Sequence, residues 1–129
     1  AVTVGQQASD TARQWFAQDR YRDYLYLHGL SVEVAEALAE AVHAKIRAEL
    51  GFADPAPPHA EALAHQSYRG SRFSFGYPAC PNLADQRPLL ELLGAARVGL
   101  AMSEEDQLEP EQSTSAIVVI HPQAKYFSV

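Results

Sequence analysis

Residues Tyr68 to Pro81 read YRGSRFSFGYPACP, and no other stretch of the chain is so tightly constrained locally. Within it, Arg72-Phe73-Ser74-Phe75 alternates as an extended segment does, placing Phe73 and Phe75 on one side and Arg72 and Ser74 on the other. Gly76 ends the alternation. Lacking a Cβ, it either adopts a positive φ or lets main chain approach a neighbour closely. Pro78 and Pro81 push Tyr77 and Cys80 into extended backbone. Stretched out, Arg72 to Tyr77 spans at most about 17 Å. An extended strand with exposed main chain, one guanidinium and one phenol suits a small ligand that carries a carboxylate and a flat ring. The planar fork of arginine can hold both carboxylate oxygens. The same residues also suit a plainer role, an arginine at a sheet edge and a packing tyrosine.

Working outward toward the C-terminus, Asn82 is placed to cap a helix over Leu83 to Leu93. Pro88 is tolerated there if the helix starts late, near Arg87, so that the proline falls in its first turn. Gly94 ends it, and Val98 to Ala101 is a short strand candidate. Ser103 to Gln112, with five carboxylates and one proline, reads as a solvated loop. Thr114 to His121 is the clearest strand, with Ile117 to Ile120 contiguous and apolar. Pro122-Gln123 is a turn, and Lys125 to Val129 returns as a second strand. Toward the N-terminus, Glu61 to His65 suits a short helix, and the three prolines of Phe52 to His59 a loop. A helix capped by Ser31 runs to Gly51, with an apolar stripe of Ala35, Leu38, Val42, Ile46 and Leu50. A preceding helical pattern covers Gln6 to about Arg20, with Ala12, Trp15 and Phe16 on one face. Tyr21, Tyr24, Leu25 and His28 continue it to Gly29. Ala1 to Val4 is strand-prone. Helices that precede and separate antiparallel hairpins define an α+β fold, long helices packed on a twisted antiparallel β-sheet.

The chain has 129 residues, of which 47% are hydrophobic, sufficient for a single domain over residues 1–129 and unlike a disordered chain. A net charge of −6 argues against non-specific nucleic-acid binding. No apolar run reaches membrane-spanning length, and no secretory signal pattern is visible. One cysteine permits no internal disulfide, which fits a reducing, cytoplasmic setting. There is no glycine-rich nucleotide loop of the dinucleotide or P-loop type.

Glu36, Glu40 and His43 share a helical face opposite the predicted apolar stripe. A solvated charged face is one reading. Glu40-x-x-His43 also has the spacing of carboxylate-bridged di-metal bundles, but the second Glu-x-x-His that such a site needs is absent. Cys80, with no second cysteine or clustered histidines, reads as a buried structural thiol. His59 and His65, six apart, fall on different helical faces, and His121 beside Pro122 reads as structural.

Three ordered blocks resemble the C-terminal activation domain of cobalamin-dependent methionine synthase. Arg72, Gly76 and Tyr77 followed by Pro78-Ala79-Cys80-Pro81 match its Arg-x-x-x-Gly-Tyr and Pro-Ala-Cys-Pro signature. Ala35 to His43 matches a helix of the family, and Ser113 to Val129 its closing strand, His-Pro and Lys-Tyr segment. The resemblance implies an S-adenosylmethionine site. Arg72 would take the ligand carboxylate, the main chain of Gly76 to Ala79 would meet the adenine, Tyr77 and Tyr126 would line the reacting end, and Glu36 would add a polar contact. It further implies a methyltransferase that moves a methyl group from methyltetrahydrofolate to homocysteine through cobalamin, the cobalamin being held mainly by another module. The activation domain would bind S-adenosylmethionine over the cobalamin, and an electron from flavodoxin or a similar donor would allow remethylation of cob(II)alamin. Expected partners are the cobalamin-binding module of the same enzyme and that donor, with no nucleic acid and no membrane. The family's domain is longer and uses an upstream aspartate for the ligand's amino group, so this chain resembles a piece of a longer polypeptide that binds weakly alone. A different class of function is a docking module with no small-molecule site, for which Arg69, Arg72, Arg87 and Arg97 would form a local basic patch.

Overall fold

Helix α1 (Gln6–Ala17) and helix α2 (Tyr21–Glu49) form an antiparallel hairpin against which the strands gather. The computed structural model describes residues 1–52 and 68–125. The hairpin turns at Asp19, whose φ of 58° is left-handed. There the Arg20 amide reaches back to the Trp15 carbonyl at 2.9 Å, and the Arg20 guanidinium lies 4.5 Å from the centre of the Trp15 ring.

Two expectations for α2 are corrected. The helix runs unbroken through Gly29 for 29 residues, so Ser31 is not its cap. A single glycine lowers helix stability by only about 1 kcal/mol, which the packing of a long helix overrides. The buried face also differs from the predicted stripe, of which only Ala35 is buried and Ile46 half-buried. Ser31, Ala35, Ala39, His43 and Arg47 are buried, whereas Leu38, Val42 and Leu50 are exposed. The buried residues repeat every four positions and begin with three small side chains, which let neighbouring backbone come close. On α1 the buried residues, Ser9 and Ala12, are small as well, while Phe16 is 56% exposed.

Among the described residues the strands pair antiparallel, as expected, in three two-stranded ladders. Strands β1 (Val2–Thr3) and β5 (Ser113–Thr114) form the first, and β2 (Ser71–Ser74) and β6 (Ala116–Val119) the second. Because β5 and β6 lie one residue apart, a single strand path joins both ladders. Ile117 and Val119 on one side of β6 are 45% and 38% exposed, so its contiguous apolar run is not buried on both faces.

The third ladder overturns the solvated-loop reading of Ser103 to Gln112. Strands β3 (Ala101–Met102) and β4 (Leu108–Glu109) form a hairpin. Ser103 Oγ accepts from the amides of Glu105 and Gln107, so a polar side chain organises an acidic turn. Val98 belongs to a short 3₁₀ turn (Ala95–Val98), not a strand, because Gly99 at φ 76° interrupts the chain before β3. Met102 and Leu108 close over a small core of Leu90, Ala95 and Leu100. Helix α3 (Gln86–Leu93) starts late, as Pro88 requires. The Asn82 side chain caps the 3₁₀ turn before it (Leu83–Asp85), and Gly94 ends it left-handed at φ 61°. The expected helix Glu61 to His65, His59, and the return strand beyond Lys125 lie outside the described residues.

Candidate functional site

The turn after β2 takes the shape its residues dictate. Gly76 has φ 86°. Its amide donates to the Cys80 carbonyl at 2.8 Å, and the Cys80 amide donates to the Tyr77 carbonyl at 2.9 Å, closing a tight turn over Pro78 and Ala79. The Gly76 amide is therefore used by the turn. Ala79 is exposed, and among the described residues its amide and carbonyl have no hydrogen-bond partner. Cys80 is half-buried and not disulfide-bonded, more accessible than a core thiol.

This turn borders a cleft of about 890 Å³ whose walls include Glu36 from α2, Arg72 and Ser74 from β2, Tyr77 from the turn, and Phe16 and Tyr24 from the helical hairpin. Arg72 and Ser74 reach the same cleft because alternate residues of a strand share a face. Three of the six expected site residues, Glu36, Arg72 and Tyr77, thus meet at one cavity. Gly76 and Ala79 flank Tyr77 in the turn without lining it, and Tyr126 lies outside the described residues.

Behind Arg72 is a polar cluster that includes Glu40 and His43, for which a solvated face was one reading of the sequence. The Glu40 carboxylate accepts from Arg72 Nη1 and, at 2.9 Å, from the Tyr68 hydroxyl, and its other oxygen lies 3.6 Å from Arg47. His43 and Arg47 are fully buried. The Arg47 guanidinium sits 3.8 Å from the centre of the Tyr68 ring, and His43 meets that ring edge-on at 5.2 Å. Burial pushes the Glu40 pKa up, but the hydrogen bonds from Arg72 and Tyr68 and the charges of Arg72 and Arg47 outweigh it, holding the carboxyl below its ordinary value. Burial and the bond to Glu40 push the Tyr68 phenol up to about 12. The signal that could have located this cluster is the four-residue repeat of small side chains, Ser31, Ala35 and Ala39, which continues into His43 and Arg47. Among the described residues no group of three His, Cys, Asp or Glu side chains could hold a metal ion, and Glu40 is occupied by Arg72 and Tyr68. The four arginines of the supposed basic patch have separate local partners. Arg69 lies over Phe52, Arg72 meets Glu40, Arg87 pairs with Asp106, and Arg97 donates to the carbonyls of Leu93 and Gly94.

Fold and cleft together define an α+β domain whose edge strand and following turn carry an arginine and a tyrosine to a polar cavity. The chain belongs to the family described as vitamin B12 dependent methionine synthase, activation domain, which matches over residues 1–129. It is similar to the methionine synthase of Mycobacterium tuberculosis (strain ATCC 25618 / H37Rv), with 49% identity over 134 residues that cover 99% of this chain and 11% of that protein. The methionine synthase of Mycobacterium leprae (strain TN) is 49% identical over 135 residues, covering 99% of this chain and 11% of that protein. The chain therefore spans about a tenth of the length of these relatives. Among solved structures it is similar to the crystal structure of the MetH reactivation domain bound to AdoHcy, with a TM-score of 0.89 and 30% identity over 98% of this chain and 39% of that one. No helix among the described residues is long and apolar enough to cross a membrane.

Proposed function

We propose that this chain is the S-adenosylmethionine-binding part of the reactivation module of a cobalamin-dependent methionine synthase. The observation that carries this reading is the meeting of Arg72, Glu36 and Tyr77 at one cleft, in a fold matched at a TM-score of 0.89 by a reactivation domain bound to AdoHcy. Arg72 binds the ligand carboxylate through its guanidinium fork. The open Ala79 amide and carbonyl meet the adenine edge, and the positive φ of Gly76 shapes the turn that presents them. Tyr77 and Tyr126 line the methyl-bearing end, and Glu36 gives a polar contact to the ribose or to the sulfonium charge. The methyl chemistry belongs to S-adenosylmethionine and to a cobalamin held by another module of the same enzyme, and this chain binds and orients the nucleoside. The electron for reactivation comes from flavodoxin or a similar donor, and the whole enzyme carries a methyl group from methyltetrahydrofolate to homocysteine in the cytoplasm.

The test is titration calorimetry of the full-length gene product with S-adenosylhomocysteine. Arg72→Ala is expected to weaken binding by about 30- to 150-fold, the loss of a charge-assisted pair of hydrogen bonds of roughly 2–3 kcal/mol. Unchanged affinity removes Arg72 from the site.

A further inference from the structure

The hydrogen bonds and ion pair of the Arg72 guanidinium with described residues are made through one nitrogen. Nη1 donates to Glu40 Oε2 and lies 3.3 Å from His43 Nδ1. Among the described residues, Nε and Nη2 have no hydrogen-bond partner. An arginine offers a carboxylate two bidentate edges, the Nη1–Nη2 end and the Nε–Nη2 side. With Nη1 engaged by Glu40, the edge left for a carboxylate in the cleft is Nε–Nη2.

Glu40 is itself held in place. The Tyr68 hydroxyl donates to the same oxygen that receives Arg72, and Arg47 lies 3.6 Å from the other. The Glu40 and Arg72 side chains are only 18% and 19% exposed, so neither is a loose surface group. Glu40 is on α2 and Arg72 on β2, so the contact registers the strand's arginine against the long helix.

We propose that Glu40 is a positioning residue for ligand binding. It locks the Arg72 guanidinium so that the Nε–Nη2 edge is presented to the carboxylate of an amino-acid-bearing nucleoside before the ligand arrives. The inference rests on the reading that Arg72 binds that carboxylate. Ordering a long arginine side chain is entropically unfavourable, and a carboxylate already gripping Nη1 removes most of that penalty from the binding step. The Glu40 charge opposes a second carboxylate, but the neighbouring Arg47 offsets it, so orientation is the larger effect. With the Glu40 carboxylate gone from between them, Arg47 and Arg72 repel, and the guanidinium loses its aim.

The experiment is calorimetry on the full-length gene product with two probes, S-adenosylhomocysteine and 5′-methylthioadenosine, which lacks the amino-acid carboxylate. Glu40→Gln is expected to weaken S-adenosylhomocysteine about tenfold and to leave 5′-methylthioadenosine within twofold. In an Arg72→Ala background the same substitution is expected to change neither affinity. Glu40→Asp, which keeps the charge but draws the carboxylate one methylene back from Arg72, is expected to give a smaller loss confined to S-adenosylhomocysteine, and it serves if Glu40→Gln does not fold. Equal losses for both probes, unchanged or tighter S-adenosylhomocysteine binding, or an undiminished effect in the Arg72→Ala background would each overturn the proposal. Absence of binding by the wild type overturns the functional reading and this inference together. Binding by the wild type that is indifferent to Glu40 overturns this inference alone.

Discussion

Tyr68 and Gly70 hold the start of β2 in place, one through its side chain and the other through lack of one. The Tyr68 ring lies against Arg47 and His43, its hydroxyl donates to Glu40, and its carbonyl accepts from Lys125 Nζ at 3.0 Å. Two residues on, Gly70 has φ 90°, and a Cβ added there would lie 2.5 Å from the Val119 carbonyl oxygen of the partner strand. Backbone cannot yield as a flexible side chain does. Gly70→Ala is therefore expected to destabilise the protein by more than about 2 kcal/mol, combining a disfavoured φ with a main-chain clash, as measured by chemical denaturation. At Gly76 the nearest obstacle is a flexible leucine side chain, Leu83, at 3.2 Å, so its φ of 86° is the main constraint. The Arg-x-x-x-Gly-Tyr spacing drew attention to Arg72, Gly76 and Tyr77. Nothing local distinguished Gly70, since the close approach of Val119 involves a strand far along the chain.

At the scale of elements, α2 records the conflict between periodicity and packing. Leu30, Val34 and Leu38 are exposed, whereas Ser31, Ala35 and Ala39 are buried. A three- and four-residue spacing of large apolar residues is ordinarily the sign of a buried stripe. Here β1 and β5 pack against α2, and its buried face carries side chains small enough to admit neighbouring backbone. Gly29 has no positive φ, and a Cβ added there would meet nothing within 4 Å. Gly29→Ala is accordingly expected to stabilise the protein by about 1 kcal/mol, from helix propensity and a less flexible unfolded chain, and a thermal melt would register it. The β3–β4 hairpin escaped sequence reading because its turn is built by Ser103 and by Asp106 at φ 60°, not by a glycine or an Asn-Gly pair.

Across the whole molecule, the Glu40 cluster ties the long helix to the β2–β6 ladder, and its protonation makes stability depend on pH. The Glu40 pKa is depressed in the folded state. Its contribution is therefore fully present above the ordinary glutamate value of 4.5 and is lost as pH falls through the depressed folded value. Tyr68 has the opposite sign. Its phenol is raised from 10.0 to about 12, so its contribution is present below pH 10.0 and is lost as pH rises toward about 12. Denaturation of the wild type and of Glu40→Gln across the acid range is expected to show the stability gap between them narrowing below pH 4.5. A gap that stays constant there would mean that Glu40 carries no folded-state shift.

What the amino-acid order determined by itself was short-range. The positive φ of Gly76, the late start of α3 that puts Pro88 in its first turn, the stop at Gly94 and the family signature all depend on a few neighbouring residues. The tertiary structure alone decided which face of α2 is buried, that Glu40 and His43 are not solvated, and that Glu40 takes Nη1 of Arg72. Those outcomes depend on what approaches from elsewhere in the chain. Two strands crossing a helix select small side chains beneath them, and a mostly buried carboxylate is stable only where partners converge on it, here Arg47 of its own helix with Tyr68 and Arg72 from a distant segment.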